Sequence, residues 1–296
     1  MSIFLNEFQS SATSQHGENG ILEKLFQAIG VENRTLVDVG AFDLKKLSNV
    51  YPLWNQAGWR AVLVEGNPVY YGRMKKEGVP ANVTLINRFV KPKGEASLDR
   101  LLGELNVPAR LDLLSVDVDS VDYHIWKNLN LFKPRAVIIE YNPTIPPHLS
   151  VVPAEHGSFV GSSAKALLEL GKSKGYALVA CTKTNLFFVW EEFAGFFQYV
   201  NDLDKLMDPF AINYVMTSYD GGLFYSNPFF PYGYNPFSKQ PHFGIENRRH
   251  YFFPNPSFWF YVGLKMKYAG LHLRRVLLKP VYFLLRYLKK NFSTHD

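Results

Sequence analysis

Short apolar runs recur along the first two thirds of the chain, set apart by intervals long enough for a helix. Leu36-Val37-Asp38-Val39-Gly40-Ala41 and Ala61-Val62-Leu63-Val64-Glu65 are the first two, each closing near a carboxylate. Runs at 83–87, 111–119 and 136–140 continue the series. The intervals at 21–30, 48–58, 69–77, 97–105, 120–126 and 161–175 carry apolar stripes or helix starts and stops, such as Gly161-Ser162-Ser163 before an apolar run and Lys174-Gly175 after it. Strand and helix in alternation, with strands apolar on both faces, predict a βαβ fold around a parallel sheet. Near 180 the rhythm changes. Tyr176-Ala177-Leu178-Val179-Ala180 and Leu186-Phe187-Phe188-Val189-Trp190 flank Thr182-Lys183-Thr184-Asn185, which predicts an antiparallel hairpin at the end of that sheet.

In a parallel sheet ligands bind beyond the carboxyl ends of the strands. Gly40 there lets backbone approach a ligand, and Glu65, ending the second strand, suits a ribose diol. The alternative for Asp38 and Glu65 is a pair of solvated strand ends. Ala41-Phe42-Asp43-Leu44-Lys45 supplies no later glycine for a pyrophosphate turn, which counts against a dinucleotide and is neutral toward S-adenosylmethionine. The closing hairpin also favours a class I methyltransferase sheet over a dehydrogenase one. Asn87, Arg88 and Phe89 reach the same rim, where a methyltransferase frames its adenine. The loop 14–20, with His16 and Glu18, either reaches over the ligand or is an ordinary helix approach. Asp117, Asp119 and Asp122, with His124 nearby and Glu140 on the next strand, form the densest acid cluster.

At 296 residues, 47% hydrophobic and 20% charged, the composition is globular. One cysteine, Cys181, fits a reducing compartment, and Met1-Ser2-Ile3-Phe4-Leu5 lacks a basic secretory leader, so a cytoplasmic protein is expected. The net charge of +6 is uneven: 247–291 holds ten Lys and Arg and no acid, while the preceding chain is slightly acidic. That asymmetry points to an anionic surface met by the tail and not to nucleic acid.

With these motifs in view the chain resembles the FkbM-like branch of S-adenosylmethionine-dependent methyltransferases. The resemblance rests on Gln15-His16-Gly17-Glu18-Asn19-Gly20, Val37-Asp38-Val39-Gly40-Ala41, Leu47-Ser48-Asn49, Val64-Glu65-Gly66-Asn67 and Leu113-Leu114-Ser115-Val116-Asp117-Val118-Asp119. It continues through Asp122-Tyr123-His124-Ile125-Trp126, Ile139-Glu140-Tyr141-Asn142-Pro143 and Gly161-Ser162-Ser163, covering 14 to 195. It implies a Rossmann-like class I methyltransferase sheet, mostly parallel and ending in an antiparallel hairpin, with S-adenosylmethionine as cofactor and a sugar or natural-product hydroxyl as acceptor. The cofactor set it implies is Glu18, Asp38, Gly40, Ala41, Ser48, Asn49, Glu65, Gly66, Asn67, Arg88, Phe89 and Asp117. Two positions depart from the pattern: Ser120 and Leu44 stand where glycine is expected.

Methyl transfer to a hydroxyl needs positioning and a proton acceptor. Asp117, His124 and His16 are the candidates for catalysis, with His124 alternatively a partly buried histidine with a satisfied hydrogen bond. Asp117, Asp119 and Glu140 could instead hold a divalent cation, Mg or Mn, or one of them could simply cap a helix. Asp117-Val118-Asp119 also fits the Asp-x-Asp of metal-dependent glycosyltransferases, and a non-catalytic methyltransferase-like scaffold at the membrane is a third reading.

The expected domains are a catalytic domain at 1–195, an aromatic, loop-rich extension at 196–256 and a basic amphipathic helical tail at 257–296. Aromatics at 224–237 suit stacking on a sugar or covering an open edge of the core. The tail interleaves Lys265, Lys267, Arg274, Arg275, Lys279, Arg286, Lys289 and Lys290 with leucine and aromatic residues. It reads either as a helix lying on an anionic membrane through 257–290, on the inner face, or as an oligomerisation helix. A sugar or glycan, lipid-linked or in a surface polysaccharide, is the expected acceptor.

Overall fold

The computed structural model describes residues 2–155, 161–208, 215–217, 219, 223–225 and 249–251. The chain divides into two compact units, 1–213 with 229–236, and 214–228 with 237–296. The first unit is built on a seven-stranded sheet with strand order β3-β2-β1-β4-β5-β7-β6. Its strands are β1 (Thr35–Val39), β2 (Arg60–Glu65), β3 (Val83–Asn87), β4 (Leu113–Val116), β5 (Ala136–Glu140), β6 (Tyr176–Cys181) and β7 (Asn185–Trp190). The first five pair in parallel, and β7 runs antiparallel to both β5 and β6. This is the expected Rossmann-like sheet of class I methyltransferases, mostly parallel and finished by a hairpin.

Alternate residues of each strand enter different cores. Leu36, Leu63, Leu113 and Ile138 pack under α1 (Glu18–Ile29), α2 (Tyr51–Asn55) and α3 (Pro68–Glu77), while Val37, Val64, Leu114 and Ile139 pack under α4 (Leu98–Glu104), α5 (Asp122–Asn128) and α6 (Ala164–Ser173). A sheet buried on both faces explains why its strands read as unbroken apolar runs. Helix starts follow local chemistry: the side chains of Asn67, Ser97 and Ser163 accept backbone N–H groups in the first turns of α3, α4 and α6.

Two expected boundaries move. The helix expected at 48–58 is only α2, because Ser48 Oγ accepts N–H groups from Val50 and Tyr51 and the helix begins after it. The strand expected at 111–119 ends at Val116: Asp122 accepts N–H groups from Val118 and Ser120 and folds 117–121 into a loop. At the other end of β4, Asp112 is fully buried beside Arg135 at 2.7 Å and accepts N–H groups from Glu32, Asn33 and Arg34.

In the second unit, β8 (Val215–Thr217) pairs antiparallel with β9 (Leu223–Tyr225), and β10 (Arg249–Tyr251) lies parallel to β9. Most of the aromatic run at 224–237, and all of the 257–296 tail, lies outside the described residues. Among the described residues no helix is long and apolar enough to cross a membrane.

Candidate active site

Strands β1, β2, β4 and β5 deliver their carboxyl ends to one edge of the sheet. Because β7 runs the other way, it brings its first residue, Asn185, to that same edge, directly opposite Glu140. Two adjoining cavities open there. One, of about 430 Å³, is bordered by His16, Asp38, Gly40, Ala41, Ser48 and Asn49, and by Asp117, Asp119 and Glu140. The other is bordered by Glu65, Gly66, Arg88 and Phe89. Gly40, Phe42, Asp117 and Asp119 line both, so the two form one elongated trough.

Gly40 is dictated by the chain itself. Its φ is +94°, and a Cβ would collide with the Asp117 carbonyl, so β1 and the loop after β4 could not otherwise come together. At Gly66 a Cβ would meet the ring of Phe89, which lies on it. Phe89 is still 68% exposed, an aromatic face presented at the rim. The two positions where glycine was expected cost no backbone strain: positive φ falls on Phe42, Leu47 and Asp119, not on Leu44 or Ser120. Leu44 is core, and Ser120 Oγ donates to the Val118 carbonyl.

The acids divide into two kinds. Glu65 is buried and accepts N–H groups from Phe42 at 2.8 Å and Asn67 at 2.6 Å, one on each oxygen, which fixes the carboxylate at the mouth of the second cavity. Asp122 is spent on its loop; burial pushes its pKa up to about 6 against the hydrogen bonds it accepts. Asp38 is likewise pushed up to about 6 by burial, the Ser115 hydroxyl opposing and Glu65 adding to the rise. Asp117 and Glu140 hydrogen-bond each other. Burial first, then neighbouring carboxylates, raises both their pKa values far above the usual range, so the pair retains a proton. One carboxylate oxygen from each of Asp117, Asp119 and Glu140 lies within 4.8 Å of the others.

Three expected site residues do not line either cavity. His124 is buried on α5, its Nε2 at 2.7 Å from the Pro153 carbonyl and its Nδ1 at 3.7 Å from Glu155, so it packs a loop away from the trough. Asn67 serves as the N-cap of α3. Glu18 is fully buried and accepts from Thr182 Oγ1 at 2.6 Å, Asn185 Nδ2 at 3.3 Å and the His16 N–H at 2.8 Å. It therefore ties the loop carrying His16 to the hairpin. His16 does reach the first cavity, and burial lowers its pKa, with Glu18 opposing and Lys183 assisting.

Phe42, Lys46, Thr184 and Asn185 also border the first cavity. None follows from sequence periodicity. Asn185 had a signal in the hairpin register, which sets it across from Glu140 once β5 and β7 are known to be neighbours.

No family model matches the chain, and no curated protein matches it. Among solved structures it is similar to a putative O-methyltransferase from Klebsiella pneumoniae, at 13% identity and TM-score 0.38 over 63% of this chain and 86% of that one. It is also similar to a precorrin-6y C5,15-methyltransferase from Geobacter metallireducens GS-15, at 16% identity and TM-score 0.32 over 64% and 97%. A glycopeptide N-methyltransferase, MtfA, complexed with sinefungin, aligns at 12% identity and TM-score 0.32 over 61% and 87%.

Proposed function

We propose that the chain is an S-adenosylmethionine-dependent O-methyltransferase of the FkbM-like kind, acting on a hydroxyl of a sugar or glycan. The observation that carries this reading is the trough itself: a fixed carboxylate, Glu65, bordering one cavity, His16 and Glu140 bordering the other, and Asp117 and Asp119 lining both, along the carboxyl edge of this sheet. The residues fit the donor. Glu65 keeps lone pairs for a ribose diol, Phe89 and Arg88 border the place for the base, and Asp38 and Gly40 line the methionine end. Gln15, Ser48, Asn49 and Thr184 give the first cavity a polar wall suited to a polyhydroxylated acceptor.

When bound, S-adenosylmethionine supplies an electrophilic methyl whose bond to sulfur breaks as a bond to the acceptor oxygen forms, leaving S-adenosylhomocysteine and a methyl ether. The acid cluster orients the acceptor hydroxyl. His16, held neutral at pH 7 by its lowered pKa, takes the hydroxyl proton. Activity should therefore climb with pH to a plateau reached through an inflection below 6.5. Labelled donor, offered with a panel of sugars and lipid-linked glycans, tests the reading. Glu65→Ala is expected to weaken donor binding about tenfold or more, and Asp117→Ala to lower turnover with donor binding largely kept. Equal loss of donor affinity in both variants, with turnover intact, would overturn these roles.

A further inference from the structure

Asn185 is 3% exposed and borders the first cavity, yet its amide oxygen has no hydrogen-bond partner. A buried amide oxygen without a partner is costly, and such atoms call for an explanation. Its orientation is set by its neighbours. The amide nitrogen donates to Thr184 Oγ1 and to Glu18 Oε1, which also accepts from Thr182 Oγ1, so the nitrogen faces Glu18 and the oxygen is turned away from it. Cross-strand partners stand on the same side of a sheet, and the partner of Asn185 is Glu140. Glu140 belongs with Asp117 and Asp119 to the three acids whose oxygens lie within 4.8 Å of one another.

We infer that Asn185 and the acids Asp117, Asp119 and Glu140 form a four-oxygen site for a hard divalent cation of the Mg²⁺ or Mn²⁺ class, with Glu18 as the positioning residue that turns the amide oxygen toward the ion. Hard cations take oxygen ligands at about 2.0 to 2.6 Å, so ligands of one ion stand at most about 4 to 5 Å apart, which the acid spacing meets. A cation held by the three acids also gives the buried Asn185 oxygen a partner. Carboxylate and amide oxygens without thiolate or imidazole select Mg²⁺, Mn²⁺ or Ca²⁺ over zinc. The ion's use rests on the methyltransferase reading, where it would hold the acceptor hydroxyl and lower its pKa. The ion's binding does not.

Mn²⁺ titrated into the full chain with neither donor nor acceptor present, and followed by electron paramagnetic resonance and calorimetry, tests the site. Saturable uptake of about one ion per chain is expected. Asn185→Leu and the exposed Asp119→Asn should each weaken it about tenfold or more. Glu18→Gln, which allows the Asn185 amide to turn over, should weaken it comparably although Glu18 is not a ligand. Circular dichroism identifies the folded variants, and Asp119→Asn, at an exposed loop position, keeps the test open if a buried substitution fails to fold. No saturable Mn²⁺ uptake by the parent chain, or parental affinity in folded Asn185→Leu, would overturn the site. Mn²⁺ uptake without S-adenosylmethionine binding would leave the site standing and refute the methyltransferase reading alone.

Discussion

Buried carboxylates in this protein are of unlike kinds, and their neighbours decide which. Glu18 is met by three neutral donors and knits two chain segments together. Asp38, at the trough, has a Ser115 hydroxyl against burial and a nearby carboxylate, and its pKa rises to about 6. A group whose folded-state pKa is raised contributes stability that is present below the unfolded value of 3.8 and lost as pH rises through 6. Asp38 and Asp122 therefore both make the parent fold less stable at pH 7 than at pH 5. Asp38→Asn should raise the melting temperature at pH 7 by several degrees, with the gain shrinking toward pH 4, while weakening donor binding; thermal scans from pH 4 to 8 would check the slope. Residues of this kind are only partly legible in a sequence. The acids Asp38, Glu65, Asp117 and Glu140 could be read because each lies at or near the end of an apolar run. The diversion of Glu18 and His124 to internal hydrogen bonds depends on Thr182, Asn185 and Pro153, which no spacing rule brings beside them.

At the scale of the elements, most of the sheet was readable because its strands are apolar on both faces and its helices carry caps in the sequence. Strand ends were not, since Asp122 and Ser48 close loops through bonds to backbone N–H groups that compete with strand and helix. The opposite edge of the sheet depends on Arg135, which donates to Asp112 and also to the carbonyls of Ile29 and Gly30 at the end of α1. One side chain thereby joins β4, β5 and α1. Arg135→Met leaves Asp112 buried without its counter-charge, and a loss of about 3 to 5 kcal/mol in urea unfolding is expected. The substitution lies at the edge away from the trough, so the folded fraction should still bind its ligands.

For the whole molecule, the uneven charge matters more than its total. Ten bases without an acid in 247–291 follow a slightly acidic body. We propose that this segment holds the protein on an anionic membrane surface, each nearby base adding on the order of 1 kcal/mol. Full-length protein should float with vesicles rich in phosphatidylglycerol and be released by high salt, whereas equal recovery with neutral vesicles would sink the proposal. The latch between Glu18 and the β6–β7 hairpin joins segments far apart in the chain of the first unit: Gln15 and His16 on one side, and Thr184 and Asn185 on the other, wall the same trough. During synthesis the early segment must wait for the late one. A nascent chain whose hairpin has not yet emerged would lack one wall of the trough, so the proposed donor site can be complete only after residues 184 and 185 have left the ribosome.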